Sequence, residues 1–222
     1  MPEHSVTGLL MATMLEAHPF IVRLSLKEYE KKPFEICGNE DVVLIISGIG
    51  KANAAMACSY LLLRYAPDCV CNLGAAGATD RSVSLKGICQ ISKIIEPDRP
   101  VLGSGIFHEH IPNLLEGFSF ASLATQDKPA VTSAERGQLA LKAQLADMEG
   151  ASAVQTCRRF GTDCYVFKFV SDTPDDHCIV KNIRQYRDDF CLFFCESVLP
   201  VLQQRLRQPV SHELPCSANP SE

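Results

Sequence analysis

A chain of 222 residues, 46% hydrophobic and 21% charged, can bury a sizeable core and is too apolar to be disordered. At this size one α/β domain is the natural expectation. The formal net charge is -5 and the isoelectric point about 5.7; with no cluster of lysine or arginine, this excludes the basic footprint of a nucleic-acid-binding protein.

Residues 1–17 contain an early acid and no basic leader region, so no signal peptide is expected. Residues 6–12 are short, apolar and flanked by polar positions, which predicts a buried first strand. A helix follows from about Leu15, with Phe20, Ile21 and Leu24 at helical spacing. The uninterrupted run VVLII at 42–46 predicts a strand covered on both faces. The turn Ser47-Gly48-Ile49-Gly50 opens an alanine-rich helix over 51–65. A third strand at 69–73 ends in the loop-like GAAGA of 74–78, and a fourth covers 88–95. Residues 96–117, rich in Pro, His and Gly, predict a long loop of the kind that often carries function. Another strand is expected at 118–124, a helix at 149–160 and a strand at 165–170 (YVFKFV). Residues 179–207 predict one long amphipathic helix or two in series. The domain is expected to span 1–207, with a frayed tail over 208–222, where Pro209, Pro215 and Pro220 stand among polar residues.

The 11 cysteines form no CxxC pair and sit mostly in apolar runs such as CVCNL and FCLFFC. That is how free thiols fill cores, and it argues against a disulfide framework. No apolar run approaches the roughly 20 residues of a membrane span. A soluble cytoplasmic protein with no membrane partner is expected.

Strands alternating with helices predict a mostly parallel, partly barrel-like mixed sheet with helices on both faces. In such sheets, sites form beyond the carboxyl ends of the strands. Glu16, the SGIG turn, GAAGA and Ser171-Asp172 all fall there. Each has an ordinary structural reading as well. Asp172 could cap the Ser-Asp-Thr-Pro turn. Glu149 could be a first-turn helix acid, and Glu16 a solvated residue at a helix start. GAAGA could serve close packing. The pair His108 and His110 around Glu109 lacks further ligands, so a loop surface is preferred to a metal site.

Four segments, taken in order, carry a family resemblance: ATMLEA (12–17), SGIGKANAA (47–55), NLGAAGATD (72–80), and DMEGASAV with FKFVSD (147–154 and 167–172). Together they resemble the nucleoside phosphorylase superfamily, in its branch of methylthioadenosine/adenosylhomocysteine nucleosidases and futalosine hydrolases. The resemblance implies a nucleoside phosphorylase-like α/β domain that cleaves the bond between a purine and a ribose. It implies that Glu16 activates water, that Met148 and Glu149 lie under the ribose, and that Asp172 protonates the purine with support from Ser171. Ala76 and Gly77 would line the ribose and water side. A homodimer is implied, and neither a metal nor an organic cofactor.

Two departures from the pattern bear on the base. The nucleosidases usually stack adenine on a Phe before the Met-Glu motif; here the stretch is 124–130, with Lys128 and Pro129 where that aromatic is expected. GATDRSVSL is closer to the futalosine hydrolases. Phosphorolysis would need cations around phosphate. Only Lys51 and Arg81 adjoin the candidate loops, which favours hydrolysis. A phosphorylase and a nucleoside-binding relative without turnover are the rival readings.

Overall fold

A computed structural model describes residues 5–103, 106–130 and 132–207. Strand β1 (Thr7–Met11) leads to helix α1 (Met14–Arg23), then to the hairpin strands β2 (Lys27–Glu30) and β3 (Glu35–Gly38). Strand β4 (Val42–Ile46) precedes α2 (Lys51–Tyr65), β5 (Cys69–Ala78), β6 (Ile88–Pro100), β7 (Phe107–His110) and β8 (Phe120–Thr125). Helix α3 (Ser133–Ala140), strand β9 (Leu145–Asp147), helix α4 (Gly150–Phe160), strand β10 (Asp163–Asp172), α5 (Ile179–Phe193) and α6 (Leu199–Arg207) complete the order. A π-helical turn, Phe194–Val198, joins the last two helices. The expected tail over 208–222 lies outside the described residues.

The ten strands form one mixed sheet in the order β10-β6-β8-β9-β5-β1-β4-β3-β2, with β7 on β6. A further pairing of β10 with β5 closes β5, β10, β6, β8 and β9 into a ring. The centre is parallel: β1 with β4 and β5, and β5 with β10 over most of its length. The edge hairpin β2–β3 and the β5–β9 contact are antiparallel. Helices α2 and α4 cover one face through Ala54, Ala57, Leu61, Ala153 and Cys157. Helices α1, α5 and α6 cover the other through Phe20, Tyr186, Phe190 and Leu202. The described cysteines are free thiols, mostly buried.

Two expectations about loops are corrected. GAAGA is strand: β5 runs on to Ala78, because residues without bulk let β10 and β9 close around it. Nor is the stretch from Glu96 one long loop. Strand β6 continues to Pro100 and pairs with β7, so His108 and His110 lie on a strand. His110 bonds Glu96 (Nε2 to Oε1, 2.7 Å), and Glu109 pairs with Lys93 at 2.6 Å.

One irregularity in the sheet makes room for a site. Strand β1 pairs with β5 only as far as Asn72, and β9 takes up the same side of β5 from Gly77. Between them β5 has no neighbouring strand on that side. A cavity opens there, at the carboxyl ends of β1, β4 and β10, where an α/β sheet is expected to bind ligands.

Candidate active site

The cavity has a volume of about 300 Å3, and its walls come from eight regions of the chain. Residues 12–16, Ile49, 75–79, 126–130, Arg136, 146–149 and the pair Ser171-Asp172 all contribute, with Ile179, Val180 and Ile183 of α5. The residues to which the resemblance gave a place at the substrate, with the pair at the expected aromatic, line it: Glu16, Ala76, Gly77, Lys128, Pro129, Met148, Glu149, Ser171 and Asp172.

Glu16 is not a solvated helix acid. It is buried, and its two oxygens are separately held. Oε2 accepts from the Thr13 hydroxyl at 2.6 Å and Oε1 from the Ala75 N–H at 2.9 Å. That N–H is free to serve because β5 lacks a strand neighbour at this point on the side of β1 and β9. Gly74 permits the approach, since a Cβ there would lie 2.8 Å from Glu16 Oε1.

Glu149 stands at the start of α4, but capping falls to others. Asp147 Oδ2 takes the Gly150 N–H at 2.8 Å, and Thr125 Oγ1 takes that of Ala151 at 3.0 Å. The Glu149 carboxylate is thereby left to cross to the SGIG turn, where Oε1 accepts the Gly50 N–H at 2.9 Å. Gly50 has φ +102, in the left-handed region that favours glycine. Burial, and after it the charge of Asp147, push the Glu149 carboxyl up to about 7.

Lys168 is a member of this group that sequence reasoning missed. It is 1% exposed, and its ammonium meets Asp147 Oδ2 at 2.9 Å. Burial alone would lower its pKa, but the charges of Asp147 and Glu149 outweigh burial and raise it. The signal was present in YVFKFV, since a lone lysine in an apolar strand needs a buried acid as partner. The sequence did not say which acid.

Asp172 does not cap the turn after β10. Thr173 does that, accepting from the Asp175 and Asp176 N–H groups. A β-bulge between Val170 and Asp172 breaks the strand alternation, so Ser171 and Asp172 both reach the cavity. Ser171 Oγ donates to Asp172 Oδ1 at 2.7 Å, and Asn182 Nδ2 donates to the Ser171 carbonyl at 2.9 Å. Asp172 Oδ2 accepts from Arg136, a second residue the sequence did not reveal. Arg136 follows the capping box of α3, in which Thr132 and Glu135 bond reciprocally, and its Nη1 donates to the Ala78 carbonyl at 2.5 Å.

The scaffold of this arrangement is that of a known family. A model of the phosphorylase superfamily matches residues 10–121, just over half of the chain. The chain belongs to the phosphorylase superfamily. A 5'-methylthioadenosine/S-adenosylhomocysteine nucleosidase of Marinomonas sp. (strain MWYL1) is 28% identical over 193 residues, covering 76% of this chain and 81% of that one. The nucleosidase of the same name from Campylobacter jejuni superimposes with a TM-score of 0.76 at 18% identity, over 90% of this chain and 99% of that one. A futalosine hydrolase of Helicobacter pylori does so with a TM-score of 0.72 at 16% identity, over 91% and 98%. These two likenesses establish the shared α/β fold.

Proposed function

We propose that the protein is a nucleosidase that hydrolyses the N-glycosidic bond of a purine nucleoside. The observation that carries this reading is the convergence of Glu16, Glu149 and Asp172 on one cavity. The names of the relatives, methylthioadenosine/adenosylhomocysteine nucleosidase and futalosine hydrolase, support it.

The chemistry follows from the placement. As the C1′–N9 bond breaks, its electron pair leaves with the base and the sugar becomes oxocarbenium-like. Asp172 delivers a proton to the imidazole ring of the purine, so that the base departs neutral. Glu16 takes a proton from the water that attacks C1′ with inversion. Glu149, with Met148 beneath the ring, accepts the ribose hydroxyls. Ala76 and Gly77 bound the side from which water comes, and Lys128 and Pro129 border the base. Residues 1–207 form the catalytic unit.

Hydrolysis is preferred to phosphorolysis because the two cations near the loops are already engaged. Lys51 binds Glu96 and Asp98 at 3.2 and 2.7 Å. Arg81 forms a fork with Asp175, at 2.9 Å on both arms. Neither lines the cavity, and the cations that do, Lys128 and Arg136, are paired with Glu135 and Asp172.

A panel of purine nucleosides, assayed with and without phosphate for free base, tests the reading. Base and free ribose are expected without phosphate. Strict dependence on phosphate, with ribose 1-phosphate as product, would overturn it. We further infer a cytoplasmic homodimer. Among the described residues no helix is long and apolar enough to cross a membrane. Ile49 and Val180, 55% and 54% exposed, give the cavity mouth an apolar rim of the kind a second copy covers. Light scattering at micromolar concentration should give twice the chain mass.

A further inference from the structure

We propose that Arg136 selects the base, making this a nucleosidase of 6-oxopurine nucleosides in preference to 6-aminopurine nucleosides. The proposal rests on the nucleosidase reading above and names its substrate class.

Three observations carry it. First, Arg136 is only 3% exposed yet lines the cavity, beside the acid assigned to the base. Second, its donors are incompletely used. Nη1 serves the Ala78 carbonyl and Nη2 serves Asp172, but the buried Nε has no partner. Nη1 and Nη2 each carry a second N–H beyond these bonds, on a guanidinium that stands in the wall of the cavity. Third, no aromatic side chain lines the cavity among the described residues. Pro129, Ala130 and Ile183 can sandwich a ring, but they cannot tell one purine from another. Discrimination falls to directional polar groups; of those in the lining, Lys128 is paired with Glu135, Thr79 with the Ala143 carbonyl and Gln126 with the Lys128 carbonyl, which turns the task to Arg136, Asp172 and Ser171.

The purine edge decides between the classes. A 6-oxopurine presents two acceptors side by side, N7 and O6, the pattern a guanidinium recognises. A 6-aminopurine presents N7 as acceptor and N6 as donor. A carboxyl group alone suits the aminopurine, giving a proton to N7 and accepting from N6. Beside the oxo group it sets acceptor against acceptor. Arg136 reverses the preference by supplying a donor to O6 while Asp172 addresses N7. Against an aminopurine its N–H groups would meet N–H groups and stay unpaired. The same contact acts on the departing base, since the electron pair released from C1′–N9 is delocalised in part onto O6, next to a fixed positive charge. Gly77 holds the geometry: a Cβ there would lie 2.8 Å from Asp172 Oδ2 and 3.2 Å from Arg136 Nη1.

The test compares nucleosides that differ only at position 6: inosine with adenosine, and the corresponding 5′-methylthio pair. For the wild-type chain, kcat/KM for the oxo member should exceed that for the amino member by roughly 10- to 100-fold in both pairs, the range of one good bidentate contact. Equal rates, or preference for the amino member, would overturn the inference and leave the nucleosidase reading intact. In Arg136→Met both substrates should slow, because Asp172 loses a donor, but the oxo member at least tenfold more than the amino member, so that the ratio falls at least tenfold; an equal loss on both would overturn the assignment. Arg136→Lys, which keeps the charge without the fork, should fold and give an intermediate ratio. If the wild type releases no base from any nucleoside, the nucleosidase reading fails. The inference is then decided by calorimetry with the free bases, where tighter hypoxanthine than adenine supports it and the reverse or equality sinks it.

Discussion

The two ends of the cavity bury charge in different ways. At the end proposed to hold the ribose Asp147 and Glu149 share one cation, Lys168, and Glu16 adds a further negative charge nearby. At the end proposed to hold the base one acid, Asp172, faces one cation, Arg136. Where acids outnumber cations, one of them must hold its proton more tightly, and Glu149 is pushed up to about 7, first by burial and then by Asp147. Where the charges match, what remains is a rigid array of donors in which Arg136 Nε has no partner. Sensitivity to pH should therefore belong to the ribose end and discrimination between bases to the other. Each end can be perturbed without the other, and that separation can be tested.

The largest effect is expected from Asp172→Asn. Loss of a positioned general acid costs on the order of 10²–10⁴ in rate. Turnover should fall within that range, while nucleoside affinity, measured by calorimetry, changes only several-fold. Wild-type rates in this variant would refute the assignment of Asp172. The variant should also keep the pH dependence of the wild type near neutrality, because the group responsible sits at the opposite end.

Lys168→Met should give the largest change in stability. Removing one partner of a buried ion pair costs about 3–5 kcal/mol, and Asp147 would keep only the Thr125 hydroxyl and the Gly150 N–H. Urea unfolding should show a lower midpoint at unchanged slope. Because the Lys168 charge holds the Glu149 carboxyl down against burial and Asp147, its loss should also move the activity limb to higher pH. A limb that stays in place would show that the ribose end is not electrostatically coupled in the way described.

The pH profile tests the same end directly. Glu149 is neutral below about 7 and ionised above it, and accepting ribose hydroxyls calls for the ionised form. The logarithm of kcat/KM should rise with unit slope up to about pH 7 and level off above. Stability should run the other way. A carboxyl whose folded pKa exceeds its ordinary 4.5 contributes stability that is complete below that value and is lost as pH climbs through 7. Glu149→Gln should therefore lower activity and flatten the acidic limb, yet unfold no more easily than the wild type at pH 8. A variant that keeps the limb would assign it elsewhere.

What separates the two ends also explains what could be seen in the sequence. The main strands and helices follow from apolar runs and periodicity, and the positions of Glu16, Glu149 and Asp172 follow from motifs beside strand ends. Partnerships do not. Lys168 is 21 residues from Asp147 and Arg136 is 36 from Asp172, and no local pattern ties either pair. The hairpin β2–β3 escaped notice because its strands are four residues each, with KEYE exposed at the sheet edge, where charge protects against pairing with other chains. GAAGA looked like a loop because glycine usually marks a turn. Here glycine is needed inside a strand, where Glu16 and Asp172 approach the backbone to within the space of one methyl group.

The smallest effect is also the most exacting test of separation. Ser171→Ala removes one of the two donors to Asp172, the hydroxyl at 2.7 Å, and leaves Arg136 in place. A hydrogen bond to a charged group is worth about 1.5–3 kcal/mol, so kcat should fall roughly 10- to 100-fold, with the Asn182 bond to the Ser171 carbonyl still holding the strand end. Ser171 Oγ makes no bond to Asp147, Glu149 or Lys168, its second and longer contact being the Ala76 carbonyl at 3.4 Å, so the acidic limb near pH 7 should not move. Combined with Glu149→Gln, its effect on log kcat/KM should add, as expected of sites that share no partner. A coupling beyond about 0.5 kcal/mol in that cycle would mean that the two ends act as one unit, and the division of pH response from base selection would have to be abandoned.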